Sequence, residues 1–224
     1  MSFYPICLDL AGRNCFVVGG GRVAERKVLG LLSCSAQVTV ISPELTDELL
    51  RCHKEGAIRW LEREYRAGDL AQAFMVIAAT DNEMTQQQVH EEAFARSLLL
   101  NVADVPKLCN FILPATVKQG DLLIAISTAG KSPALARKLR MELEKRFGVE
   151  YKILVDILGA IRPEILASGQ QQSENERIFN KLLHDDLIDW IRNRDWYSLE
   201  QHFAGVLQGR VGDGWQQKIR PFFL

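Results

Sequence analysis

The stretch NCFVVGGGRVAERK, residues 14–27, sets an apolar run against three consecutive glycines and then a charged, helix-forming segment. Asn14 to Val18 reads as a short buried strand and Gly19 to Gly21 as a turn. Arg22 to Leu32 reads as a helix, with Val23, Val28, Leu29, Leu31 and Leu32 at helical spacing. A dinucleotide turn needs three small residues. The first turns the chain sharply out of the strand, the second lets backbone N–H groups approach a pyrophosphate, and the third lets helix and strand pack closely. Gly19-x-Gly21-x-x-Ala24 supplies all three, with Ala in the third place. The helix behind it presents its positive N-terminal end to phosphates. We therefore assign Gly19, Gly21, Arg22, Val23 and Ala24 to cofactor contact. A tight turn that binds nothing is the competing reading; the strand–turn–helix context favours the nucleotide.

Working outward, AQVTVIS (36–42) is β-branched and stops at Pro43, so it reads as a second strand. Thr46 to Glu55 is a short helix, and IRWLERE (58–64) a third strand. AFMVIAAT (73–80) is an unbroken apolar run, the mark of a strand buried on both faces of a parallel sheet. Glu83 to Arg96 reads as a helix and LLLNVAD (98–104) as a strand. This alternation predicts an α/β fold with a Rossmann-like, doubly wound parallel sheet.

After Pro106 the rhythm changes. FILPATVKQGDLLIAIST (111–128) reads as two strands around Gln119-Gly120-Asp121. Ser132 fits a helix N-cap with Pro133 at the first helical position, and Gly148 a C-terminal stop. This small α+β unit is too small to bury its own apolar side, so it is expected to pack on something else, such as a second subunit. From Tyr151 the pattern is helical: YKILVDILGAIRPEIL, then ENERIFNKLLHDDLIDWIRN, then a weaker stretch, with the polar linker ASGQQQSEN (167–175) between the first two. Trp190, Trp196 and Tyr197 are expected to pack this part. The predicted domains are 1–113, nucleotide-binding; 114–148, a hairpin plus helix for dimerisation; and 149–224, helical.

Composition excludes several classes. Of the 224 residues 47% are apolar and 25% charged, and the formal net charge is −1, so no basic field invites nucleic acid. Cys7, Cys15, Cys34, Cys52 and Cys109 form no C-x-x-C pair, and an odd, scattered set reads as free thiols in a reducing cytosol. His53, His90, His184 and His202 lack metal-ligand spacing, so no metal site is expected. The N-terminal MSFYPICLDLAGRN has neither a basic nor an apolar leader region, and no apolar run approaches the ~18 residues of a membrane helix. A cytoplasmic protein is expected.

The second strand of a dinucleotide fold usually ends in an acidic residue for the ribose 2′-OH. Here it ends Ile41-Ser42-Pro43-Glu44; Ser42, Pro43 and Glu44 are taken as the ribose-side contacts, with Thr80 at another strand end. Arg22 suits either a 2′-phosphate or the pyrophosphate, so spacing alone leaves NAD and NADP open. Gly130-Lys131-Ser132 imitates the end of a phosphate-binding P-loop, but that motif needs Gly at position 125, which is Ala.

FVVGGGRVAERK, AATDN, NVADVPKLCNFILPA and STAGKSPALARKLR, in this order and spacing, resemble the signature segments of the precorrin-2 dehydrogenases, including the N-terminal module of siroheme synthase and the bifunctional dehydrogenase–ferrochelatases. The resemblance covers roughly residues 1–148. It implies oxidation of precorrin-2 to sirohydrochlorin with NAD as hydride acceptor and, in some members, insertion of Fe2+ or Co2+ into the product. It implies a homodimer joined through the unit after the nucleotide domain. It implies Asp104 as the catalytic general base, at the carboxyl end of a predicted parallel strand, with Asn101 nearby. It makes Ser127, Thr128 and Lys131 part of a loop lining the tetrapyrrole site, with Thr128 where many relatives have Ser; Lys131, Arg137, Lys138 and Arg140 form a basic cluster for the substrate's carboxylates, a solvated helix face being the competing reading. The alternatives are a Rossmann module that senses NAD(H) without tetrapyrrole chemistry, and a reductase of another small substrate.

Overall fold

The computed structural model describes residues 3–212 and 214–223. The chain divides into two compact units, residues 1–113 and 114–224.

The first unit holds a five-stranded parallel sheet in the order β3-β2-β1-β4-β5. The strands are β1 (Asn14–Val18), β2 (Gln37–Ile41), β3 (Ile58–Leu61), β4 (Met75–Ala78) and β5 (Leu99–Val102). Between them run α1 (Arg22–Leu32), α2 (Asp47–Lys54) and α3 (Glu83–Ala95). Side chains of a strand alternate between faces, and the sequence uses both. Cys15, Val17, Val38, Val40, Met75 and Ile77 bury against Ala24, Val28 and Leu31 of α1 and Leu49 and Cys52 of α2. Val18, Val76, Ala78, Leu100 and Val102 bury against Val89 and Ala93 of α3 and against Tyr65 and Leu70 from the β3–β4 connection. All residues of β4 are buried, which is why 73–80 reads as one apolar run. The expected α/β doubly wound class is what the chain adopts. The sheet order reverses between β1 and β4, so the Gly19–Gly21 turn leaves β1 at the switch point, where such sheets bind ligands.

The second unit opens with an antiparallel hairpin, β6 (Ala115–Gln119) and β7 (Leu122–Ile126), followed by α4 (Pro133–Arg146). Ser132 caps α4, its side chain accepting from Leu135 N. Five helices follow: α5 (Val149–Ala167), α6 (Gln172–Leu182), α7 (Leu187–Asn193), α8 (Trp196–Leu207) and α9 (Trp215–Ile219). Their core is built from helical stripes such as Leu154, Ile157, Ile161 and Ile165 of α5 and Leu199, Phe203 and Leu207 of α8. The α5 helix also packs on β6 and β7, yet α4 buries none of its residues, and Leu123, Leu135 and Met141 stay exposed. No described helix is long and apolar enough to cross a membrane.

Local readings need correction. Gly148 does not stop α4 in a left-handed turn: at φ −85° and ψ −166° it is extended, and it serves as the N-cap of α5. The stretch 174–193 is not one helix but α6 and α7, separated at Leu183, whose ψ of 94° leaves the helical region. The linker is shorter than expected, because α6 already begins at Gln172. Trp190 and Trp196 pack against the helical core, but Tyr197 is 74% exposed.

Candidate active site

The register places the site. Val18, Ile41, Ala78 and Val102 stand level across β1, β2, β4 and β5. The residues after them, Gly19–Gly21, Ser42–Glu44, Ala79–Thr80 and Ala103–Asp104, therefore lie along one edge of the sheet.

Each glycine of the turn meets a different constraint. Gly19 has φ +116°, and a Cβ there would lie 2.2 Å from the Ala79 carbonyl oxygen and 3.2 Å from Thr80 N. Gly20 has an ordinary φ, but its Cβ would lie 1.9 Å from the Glu44 carbonyl oxygen and 2.8 Å from Ser42 Oγ. Gly21, the N-cap of α1, has nothing within 4 Å of its notional Cβ. The first helical hydrogen bond runs from Glu25 N to Gly21 O at 2.9 Å, so the N–H groups of Arg22, Val23 and Ala24 precede it. Arg22 and Val23 are exposed, whereas Ala24 is fully buried against β1, the close packing expected of the third small residue. Open space above Gly21 and uncommitted amides are the fit a pyrophosphate requires.

A groove of about 550 Å³ runs beside this turn, between Gly20 and Gly21 on one side and Ser42 to Thr46 on the other. Ser42 is buried and its carbonyl accepts from Trp60 Nε1 at 2.9 Å. Pro43 and Glu44 are exposed on the rim. Thr46 locks the arrangement: its N–H donates to Gly20 O at 3.0 Å, its hydroxyl donates to Glu25 Oε2 at 2.6 Å, and it caps α2. Thr80 abuts the turn, its hydroxyl accepting from Asn82 N at 3.3 Å and its carbonyl from Gln86 Nε2 at 2.7 Å.

Asp104 is exposed and sits in the left-handed region at φ +61°. An L-residue there costs on the order of 1 kcal/mol, least for Asp and Asn. Lys27, half-buried on α1, faces its charge. Burial and neighbouring Arg26 push the lysine below its usual range, and Asp104 opposes that shift. Asn101 is half-buried and its amide nitrogen donates to Phe111 O at 3.1 Å.

Ser127, Thr128, Lys131 and Arg137 belong to the second unit. The Ser127 hydroxyl accepts from Ala129 N and the Thr128 hydroxyl from Ser132 N, each at 3.1 Å, around a turn with Ala129 and Gly130 at positive φ. Lys131 and Arg137 are exposed and form no ion pair among the described residues, whereas Lys138 and Arg140 pair with Glu142 and Glu144 along α4. Among the described residues no cluster of His, Cys, Asp and Glu is suited to a metal ion. His184 and His202, distant in sequence, do meet, with ring centroids 5.1 Å apart beside Trp190. Sequence reasoning missed Gly20, Glu25, Thr46 and Lys27; the third consecutive glycine and a lysine amid an apolar helical stripe were the only signals.

Two family models match in succession: one described as "Putative NAD(P)-binding" over residues 6–115, and one described as "Sirohaem biosynthesis protein central" over 119–146. In succession they match the nucleotide-binding and central parts of the sirohaem biosynthesis family, the one the sequence resembles. Within that family, the siroheme synthase of Nitrosococcus oceani is 42% identical over 224 residues, covering 100% of this chain and 47% of that protein. Siroheme synthase 2 of Yersinia enterocolitica is 34% identical over 214 residues, 95% of this chain and 45% of the relative. The chain thus spans less than half the length of these curated relatives. Among solved structures, SirC, a precorrin-2 dehydrogenase, superposes with a TM-score of 0.75 at 26% identity, covering 89% of this chain and 100% of SirC.

Proposed function

We propose that the chain is an NAD-dependent dehydrogenase that oxidises precorrin-2 to sirohydrochlorin. The observation that carries this reading is the likeness to SirC over SirC's whole length. The sheet edge supplies a physical account. The reaction removes a hydride and a proton from the reduced macrocycle, leaving sirohydrochlorin, NADH and H+. When bound, NAD+ supplies the hydride acceptor. Gly21 and the amides of Arg22, Val23 and Ala24 hold the pyrophosphate, with Gly19 making the turn. Ser42, Pro43 and Glu44 line the ribose side, and Thr80 closes the edge next to the turn. Asp104, about 10 Å across the sheet from β1 by two interstrand spacings, takes the proton from the ring. Burial disfavours the charge on Lys27, and attraction to that carboxylate offsets part of the effect. Asn101 is a substrate contact in the first unit. In the second unit Ser127, Thr128, Lys131 and Arg137 offer hydroxyls and free cations to the substrate's carboxylates.

The same reading includes a homodimer, because α4 buries nothing of its own and leaves Leu135 and Met141 exposed. It also places the protein in the cytoplasm, acting on a small molecule, without a nucleic-acid or membrane partner. The test is oxygen-free incubation of precorrin-2 with NAD+ or NADP+, following NADH and the sirohydrochlorin spectrum, then addition of Fe2+ or Co2+. NADH and sirohydrochlorin formed together, faster with NAD+, support the dehydrogenase; a metal-dependent spectral change adds chelation. NAD+ binding without turnover would favour a nucleotide sensor.

A further inference from the structure

β5 is an edge strand, so its outer N–H and C=O groups have no neighbouring strand. Two consecutive residues satisfy them instead. Asn110 N donates to Leu100 O at 3.0 Å, its Oδ1 accepts from Leu100 N at 2.8 Å, and its Nδ2 donates to Leu98 O at 2.7 Å. One turn further along the edge, Cys109 Sγ accepts from Val102 N at 3.1 Å. The same thiol lies 3.3 Å from Val102 O and 3.4 Å from Val105 O, carbonyls between which its proton is shared. Asn110 thus imitates a sixth strand, and Cys109 stitches the end of β5 to Val105.

The segment they enclose, residues 103–108, carries Asp104. Ala103 N is anchored to Ala78 O at 2.8 Å, and Val105 N reaches Val102 O at 3.4 Å. Asp104 is therefore held between two pinned neighbours, in a left-handed conformation that an unpinned chain would leave. The exposed carboxylate makes no hydrogen bond of its own among the described residues, so the backbone at 104 is what fixes where the side chain starts from. A thiol suits the stitch because its long C–S bond and large sulfur let one side chain span three backbone groups.

We propose that Cys109 and Asn110 are positioning residues for the dehydrogenation: they fix the 103–108 loop so that Asp104 is presented in one orientation. This rests on Asp104 being the base. Misplacing a reacting group by about 1 Å can cost on the order of a hundredfold in rate.

The experiment uses the full chain with NAD+ and precorrin-2 without oxygen. Cys109→Ala and Asn110→Ala are expected to lower kcat about tenfold to a hundredfold, with NAD+ affinity unchanged. Cys109→Ser, which keeps a donor and acceptor, should recover most of the rate. Amide exchange at residues 103–105 should quicken in Cys109→Ala while β1 and β4 stay protected. In an Asp104→Ala background, Cys109→Ala should cost nothing further, because its effect runs through the missing carboxylate. Equal losses in both backgrounds, or unchanged exchange at 103–105, would overturn the proposal. An Asp104→Ala chain with wild-type rate would instead refute Asp104 as the base, a separate result. Should Cys109→Ala fail to fold, Asn110→Ala carries the comparison: the proposal stands if kcat falls while exchange quickens at Leu100 and 103–105 alone, and falls if either is unchanged.

Discussion

Adding one methyl group at Gly19 and at Gly21 should separate the folding role of the turn from its binding role. At Gly19 the methyl would sit 2.2 Å from a backbone oxygen, at φ +116°, with Ala79 fixed by its own hydrogen bond to Val18. The unfavourable dihedral costs about 1–3 kcal/mol and the forced backbone shift about as much again, or about 2–6 kcal/mol together. For a unit of this size that lowers Tm by at least about 8 °C. At Gly21 the φ is −83° and nothing lies within 4 Å. Replacing an N-cap glycine by alanine costs less than about 1 kcal/mol, so Tm should move by less than about 8 °C. The same methyl, however, fills the space the pyrophosphate needs. NAD+ affinity should fall about tenfold or more, at least about 1.4 kcal/mol. Thermal unfolding by circular dichroism and NAD+ titration by calorimetry measure both. A Gly21→Ala protein that binds NAD+ normally, or one destabilised as much as Gly19→Ala, would refute the assignment.

Other consequences are as direct. Glu44 stands on the rim of the groove, and a 2′-phosphate near it would meet like charge, worth about 1 kcal/mol in water. Glu44→Gln should therefore raise NADP+ affinity relative to NAD+ about fivefold; an unchanged ratio would place the ribose elsewhere. Acid should loosen the first unit. Arg63 hydrogen-bonds Asp69 at 2.7 Å and holds its carboxyl below the usual range. Burial pushes Glu92 up, but hydrogen bonds from Tyr65, Gly68, Arg96 and Leu70 outweigh it and hold this carboxyl low as well. Groups depressed in the folded state contribute fully above their unfolded values of about 4, and the contribution fades as pH falls through the lower folded values. Tm should fall below about pH 4, and Glu92→Gln should lower Tm at neutral pH while flattening that acid limb. Parallel acid profiles for the two proteins would show that Glu92 does not carry the effect.

What the sequence made legible was local. The turn at 19–21, the run at 73–80 and the Ser132-Pro133 helix start each write their geometry into consecutive residues, because strand burial, sharp turns and capping are short-range demands. The rest depends on partners far along the chain. Gly20 is required by a carbonyl at Glu44, and Lys27 meets the charge of Asp104 only once α1 and the end of β5 come to one sheet. Asn110 reads as a loop residue until its amide is seen to cover the edge of β5. The α6–α7 break escaped notice because apolar spacing continues across Leu182, Leu183 and Leu187, and periodicity does not register a change of backbone direction. Gly148 shows the same ambiguity, since a glycine between two helices suits the end of one or the start of the next.

The most direct test of the account is the stoichiometry of one turnover. Precorrin-2, NAD+ and enzyme are mixed without oxygen, and NADH and sirohydrochlorin are quantified for the wild-type chain and for Asp104→Ala. The account predicts equal amounts of the two products from the wild type, and a variant that binds NAD+ as tightly but forms neither product at a comparable rate. Sirohydrochlorin without matching NADH, or an Asp104→Ala chain as fast as the wild type, would contradict it.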